Sequence, residues 1–150
     1  MNNKFIISII IILIIMAAFT AFMSYGRGMA KIIRDGNELY LQQDYEKARK
    51  VYEKGFSEEK EDRKLNYNLA NTKYQLGDYQ EAIELYQIAV DSPEKYLQIG
   101  NINYQLAERE TNPENKIKQY QKAIESYKDG IIKYPENIEL KYNYEYLKKI

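Results

Sequence analysis

Slid along itself by 34 residues, the sequence falls into register: Asn37 meets Asn71, Tyr40 meets Tyr74, Asp44-Tyr45 meets Asp78-Tyr79, Ala48 meets Ala82, and Tyr52 meets Tyr86. Small residues match as well, Gly36 with Ala70 and Gly55 with Ala89. A period in this range is the mark of a solenoid, in which each unit buries its apolar face only against its neighbours. A third copy comes in two pieces. Leu69-Ala70-Asn71 recurs 30 residues on as Ile99-Gly100-Asn101. YQEAIELY (Tyr79 to Tyr86) recurs 41 residues on as YQKAIESY (Tyr120 to Tyr127), with six identities in eight. The difference, 41 − 30 = 11 residues, is an insertion between the two halves of the third unit, near residues 108–118.

Each copy reads as an antiparallel helix pair. In the second half of each, Tyr45, Ala48, Tyr52 and Gly55 recur as Tyr79, Ala82, Tyr86 and Ala89, then as Tyr120, Ala123, Tyr127 and Gly130. The spacing i, i+3, i+7, i+10 is one helical face, alternating large and small, so that rings of one helix fill the space beside small residues of another. Gly77-Asp78 is a tight-turn pair, and Gln43-Asp44 stands at the same place with a less suitable first residue. Ser92-Pro93-Glu94 and Asn112-Pro113-Glu114 each set a capping side chain before a proline in the first turn. Tyr134-Pro135 stops the last paired helix, and Leu140, Tyr144 and Leu147 give residues 138–150 the apolar stripe of a closing helix. Ser57 to Lys64 is a solvated turn and helix start. The expected units are about 30–61, 62–91 and 93–134, then the cap. The insertion lengthens both arms of the third pair by about one and a half turns, into a spur on which Leu106 packs against Ile117.

Ahead of the repeats, Phe5 to Met23 runs nineteen residues without a charge, with Ser8 and Thr20 its only polar side chains. At 1.5 Å per residue this spans roughly 28 Å, about a bilayer core. The expectation is a retained single-pass anchor over 1–23, in contact with membrane lipid, and a short linker over 24–29. The competing reading is a cleaved signal peptide, with Lys4 as its basic region and Ser24-Tyr25-Gly26 as its cleavage site, although the apolar stretch exceeds the usual 7–15 residues. Ala17 and Ala21 have a helix-pairing spacing that ordinary filler also explains. Orientation stays open. Arg27, Lys31 and Arg34 after the span favour a cytoplasmic domain by positive-inside counting, while a short basic N-terminus leading straight into an apolar helix is how signal-anchors place the domain outside. The expected location is the cytoplasmic membrane, leaning to an extracytoplasmic domain.

Charge and composition remove whole classes of function. Lys plus Arg and Asp plus Glu balance at 22 each, and without Lys4 the count is 21 against 22, which leaves no footprint for nucleic acid. No Cys and no His means no thiolate nucleophile, histidine base or Cys/His metal site. No catalytic residue, metal or cofactor is therefore expected.

The small residue of the first helix (Gly36, Ala70, Gly100), the Asp-Tyr turn, and the Ala stripe of the second helix (Ala48, Ala82, Ala123) resemble the tetratricopeptide repeat (TPR). The likeness covers about Ala30 to Ile150. It implies an all-α, right-handed solenoid of three pairs plus a cap, with first helices lining a concave groove that binds a protein or peptide. By this resemblance the groove positions are Ile33, Asn37, Tyr40 and Leu41; Tyr67, Asn71, Tyr74 and Gln75; and Leu97, Asn101, Tyr104 and Gln105. The Asn and Tyr ladders among them suit an extended backbone, or recur because the fold accepts them there. Relatives that clamp chaperone carboxylates place Lys and Arg where this chain has Ile33, Glu94 and Gln98, which implies a neutral or apolar ligand. The order of motifs also resembles TPR proteins of bacterial aerotolerance-type (Bat) operons, which implies an envelope complex with MoxR-type ATPases and von Willebrand A-domain proteins. The rival expectation is a structural assembly subunit acting through its convex face, spur or final helix.

Overall fold

The computed structural model describes residues 3–149, which form seven helices: α1 (Asn3–Leu41), α2 (Tyr45–Glu58), α3 (Arg63–Leu76), α4 (Tyr79–Ile88), α5 (Pro93–Arg109), α6 (Pro113–Lys133) and α7 (Ile138–Leu147). Met1, Asn2 and Ile150, which the expected anchor and cap include, lie outside the described residues, as does the side chain of Lys4.

The turns form where the sequence supplies the chemistry. Gly77 takes the left-handed conformation at φ 85° that closes α3, and Gln43 is held at φ 61° after α1. Asp44, Asp62, Ser92, Asn112 and Asn137 each accept a hydrogen bond from a first-turn backbone N–H, capping α2, α3, α5, α6 and α7. The chain leaves α4 at Ile88, and Val90 N–H is pinned to the Arg63 carbonyl at 3.0 Å, which makes the tight junction into α5.

Three antiparallel pairs (the C-terminal part of α1 with α2, α3 with α4, α5 with α6) stack in order, and α7 closes the third. α1 touches α3 and α5 touches α7, while the even-numbered helices of the three pairs make no comparable contact with one another. The stack therefore curves with the odd-numbered helices on its inner face. Tyr52, Tyr86 and Tyr127 are fully buried beside Gly36, Ala70 and Gly100. A Cβ on Gly36 would lie 2.3 Å from Tyr52 Cε1, and one on Gly100 2.2 Å from Tyr127 Cε1, so glycine is what lets these rings in. Two cores result, one across the first two pairs reaching Ile102, the other joining the third pair to Leu140 and Leu147 of α7. On the outer face Lys73, almost wholly buried, bonds Glu53 of α2 at 3.1 Å and Glu81 of α4 at 2.8 Å, tying the first two pairs together.

Two expectations need correction. Residues 24–29 are not a linker: they lie inside α1, because nothing there breaks a helix apart from Gly26 and Gly28, each costing about 1 kcal/mol. Leu106 packs on the first core rather than on an Ile117 partner, and Ile117 is exposed. The longer third pair is braced, since Arg109 at the end of α5 stacks over the Tyr79 ring, 5.0 Å from its centroid. From Ile6 to Met23 the large apolar side chains of α1 are exposed, and Met29 is the first residue of α1 buried in the repeats. Within that stretch the Thr20 hydroxyl donates to the Ala17 carbonyl at 2.9 Å, which satisfies it without water.

Candidate functional site

The inner face presents α1, α3 and α5 side by side, and the asparagines of the ladder stand at one register on it. Each is locked by the second helix of its own pair. The Tyr52 hydroxyl donates to Asn37 Oδ1 at 2.6 Å, Tyr86 to Asn71 Oδ1 at 2.5 Å, and Tyr127 to Asn101 Oδ1 at 2.8 Å. The donors are buried rings, so the amide carbonyls are used inside the protein. What each asparagine offers outward is its N–H₂. The ladder is thus one of donors, not of the paired donors and acceptors that the residue type alone suggests.

The tyrosine ladder is braced between pairs. Gln105 Nε2 donates to Tyr74 Oη at 2.6 Å while its Oε1 accepts from Tyr79 at 2.9 Å, and Gln75 Nε2 reaches Tyr40 Oη at 3.4 Å. Each ladder ring also leans on the first tyrosine of the following helix: Tyr40 on Tyr45, Tyr74 on Tyr79, Tyr104 on Tyr120, with centroids 5.2 to 6.0 Å apart. Burial raises the Tyr40 and Tyr104 phenols above their ordinary value, so the rings stay neutral.

Not all assigned positions are equally open. Asn37, Tyr40, Leu41 and Asn71, joined by Asn68, line a depression of about 220 Å³ between α1 and α3. Leu41 is 80% exposed there. Ile33, Tyr67 and Leu97 turn partly into the cores, with Tyr67 edge-on against Tyr86 at 5.8 Å. Tyr104 is met by Tyr146 of α7, 6.4 Å between centroids, so the cap closes that end of the face. Asn68, whose Nδ2 donates to Asn37 Oδ1 at 3.1 Å, was not legible as a site residue, since the matching positions are Arg34 and Gln98 and no repeat points to it. Only its place one helical turn before Asn71 could have suggested it. No charged side chain belongs to the ladders or the depression.

Residues 39–95 match the tetratricopeptide repeat family. Among solved structures, TTC0263, a thermophilic TPR protein of Thermus thermophilus, superposes with a TM-score of 0.68 at 21% identity, over 79% of this chain and 63% of that one. This chain therefore spans less than two thirds of that protein. The first TPR of Spaghetti (RPAP3) bound to the HSP90 peptide SRMEEVD superposes at 0.67 with 17% identity, over 82% of this chain and 92% of that one. The second TPR domain of human RPAP3, in complex with the HSP70 peptide SGPTIEEVD, does so at 0.65 with 16% identity, over 82% and 97%. No curated protein matches the chain. With a family match over residues 39–95 and these folds superposing along most of its length, the chain carries tetratricopeptide repeats and has the TPR solenoid as its fold.

Proposed function

We propose that the protein is a membrane-tethered TPR scaffold that holds a neutral, extended protein segment on its concave face, as part of a cell-envelope complex. The observation that carries this reading is the locked ladder. Three asparagine amides at one register, each fixed through its carbonyl oxygen by a buried tyrosine, are donors that need no ordering when a peptide backbone arrives. The tyrosine rings beside them supply contact area at little entropic cost. Two of the solved neighbours hold acidic peptides, SRMEEVD and SGPTIEEVD. The ladders here carry no cation to pair such carboxylates, which supports a ligand of different charge. The exposed apolar part of α1 supports the tether, and its short basic N-terminus supports a domain on the outer side of the membrane, which protease access to intact cells checks.

The test uses side chains with no part in the packing. A photo-crosslinker at Leu41 captures a partner from membranes, and the same probe at Lys128 on the outer face does not. Leu41→Glu with Gln75→Glu, measured by co-purification, abolishes the capture. Capture from Lys128 but not from Leu41 would sink the groove reading. It would favour the second one, an assembly subunit joined through its outer face or α7, where Ile138 and Tyr142 are 80% and 69% exposed.

A further inference from the structure

α1 fixes which edge of the repeat domain faces a bilayer. Ile32 of α1, Gly55 of α2 and Leu65 of α3 lie at one level, since a Cβ on Gly55 would be 2.9 Å from Ile32 and 3.0 Å from Leu65. Val90 is bonded to Arg63, Asp91 is bonded to Lys133 at 3.0 Å, and Gly130 is in contact with Tyr96 and Leu140. The starts of the odd helices and the ends of the even ones therefore make one continuous edge, on the side from which α1 enters. From Met23 to Ile32 the rise is about 14 Å. Past Gly55 the end of α2 climbs back by about 6 Å, to within a lysine's reach of a headgroup layer roughly 6 Å deep.

That edge holds a cleft of about 600 Å³ between the second and third pairs, whose lining includes Lys60, Arg63, Lys95 and Lys133 against only Glu61 and Asp91. Asp91 is already engaged, by Lys133 and by the Tyr96 hydroxyl at 2.7 Å. Among the described residues Lys60 and Arg63 make no ion pair. Burial holds the Lys95 ammonium below its ordinary value; Asp91 opposes this, and the Lys133 and Arg63 charges add to it. The positive charges are crowded here without enough partners. Beside them Ile88, Val90, Ile132 and Ile138 are exposed, at 50%, 37%, 69% and 80%. Cations at the mouth of a cleft and aliphatic tips at the rim are what an anionic bilayer surface takes.

We propose that this edge rests on the membrane, with the cleft holding the phosphate of an anionic phospholipid headgroup and the isoleucine and valine tips entering the interface. The proposal rests on α1 crossing the bilayer. The chain has no cysteine, so single cysteines at Ile14, Leu41, Val90 and Ile132 can each carry a fluorophore in the full-length protein. The protein is reconstituted into vesicles of phosphatidylcholine alone or mixed with phosphatidylglycerol, with spin-labelled lipid as quencher. The expected result is quenching at 14 in both vesicles, at 90 and 132 chiefly in the anionic ones, and none at 41. Lys60→Glu with Arg63→Glu, both exposed, weakens the anionic preference roughly tenfold or more, while inorganic phosphate in place of phosphatidylglycerol gives no quenching at 90. Labels at 90 and 132 as unquenched as 41, with 14 quenched, overturn the proposal alone. An unquenched label at 14 overturns the anchor and the proposal together. An anionic preference that survives the double substitution overturns the role of the cleft.

Discussion

The hydroxyl of Tyr86 donates to Asn71 Oδ1 at 2.5 Å, and through this one bond the centre of the buried core sets the rotamer of a residue on the concave face. The two ends of the bond are not equivalent. Tyr86→Phe leaves a half-buried carbonyl that water can still reach, and is expected to cost about 1 kcal/mol. Asn71→Ala strands a fully buried hydroxyl and is expected to cost about 1–3 kcal/mol. The double variant should cost less than the sum, which denaturant unfolding of the three proteins measures.

The same burial predicts how the protein fails in alkali. Desolvation raises the phenols of Tyr52, Tyr86 and Tyr127 above the ordinary 10.0. Above that pH the unfolded chain loses protons that the folded one keeps, so the unfolded state binds fewer protons and stability falls. Their contribution is full below pH 10 and is lost as the pH rises beyond it. Absorbance at 295 nm should show these three of the sixteen tyrosines ionising only as helical ellipticity disappears.

Gly36→Ala and Gly100→Ala are expected to destabilise by about 1–3 kcal/mol each, because the added carbon meets a ring already packed at 2.3 and 2.2 Å. The second pair has Ala70 at this place, so its ring, Tyr86, must stand farther off. Ala70→Gly is therefore expected to lose about 1 kcal/mol through helix propensity and leave a small gap. Thermal unfolding of the three variants distinguishes a steric role for glycine from mere tolerance.

Gln43 and Gly77 occupy the same left-handed position in successive repeats, at φ 61° and 85°. A side chain in that conformation costs about 1–2 kcal/mol. Gln43→Gly is expected to raise stability by up to about 1 kcal/mol, and Gly77→Gln to lower it by a similar amount or more. Equal melting temperatures for Gln43→Gly and the parent would show that local hydrogen bonds already relieve the strain.

The pairing, the turns and the split third unit could be read from the sequence because each rests on local chemistry repeated at a fixed interval: Asp44 and Asp78 at helix starts, Pro93 and Pro113 in first turns, Tyr52, Tyr86 and Tyr127 in one stripe. The state of the concave face could not. Asn37, Asn71 and Asn101 look like free amides until the partner helix is in place, since the hydroxyls that claim their oxygens lie 15, 15 and 26 residues away. Nor could the cover that Tyr146 gives Tyr104, which depends on where α7 comes to rest. The linker expected over 24–29 failed for a different reason. Glycines lower helix propensity without ending a helix whose turns are already formed on both sides, by the apolar run before them and by the first repeat after them.

That unbroken α1 makes a mechanical prediction. One helix of 39 residues joins the apolar span to the first repeat, and its bonds run through Gly26 and Gly28, where no side chain lies near enough to buttress them. With no hinge, the concave face keeps a fixed angle to a bilayer that the span crosses. Nitroxides on Ile14→Cys and Leu41→Cys, 27 residues apart, should then report one narrow distance of about 40 Å in nanodiscs. Gly28→Pro removes a backbone donor and clashes with the preceding turn, at a cost of about 3 kcal/mol to the helix. It is expected to shorten and broaden that distance while leaving the melting of the repeats unchanged, because Met29 is the first residue the repeats bury. A broad distribution in the parent protein would mean that the glycines already act as a hinge, and the orientation of the groove would then be set by contacts at the membrane surface rather than by α1.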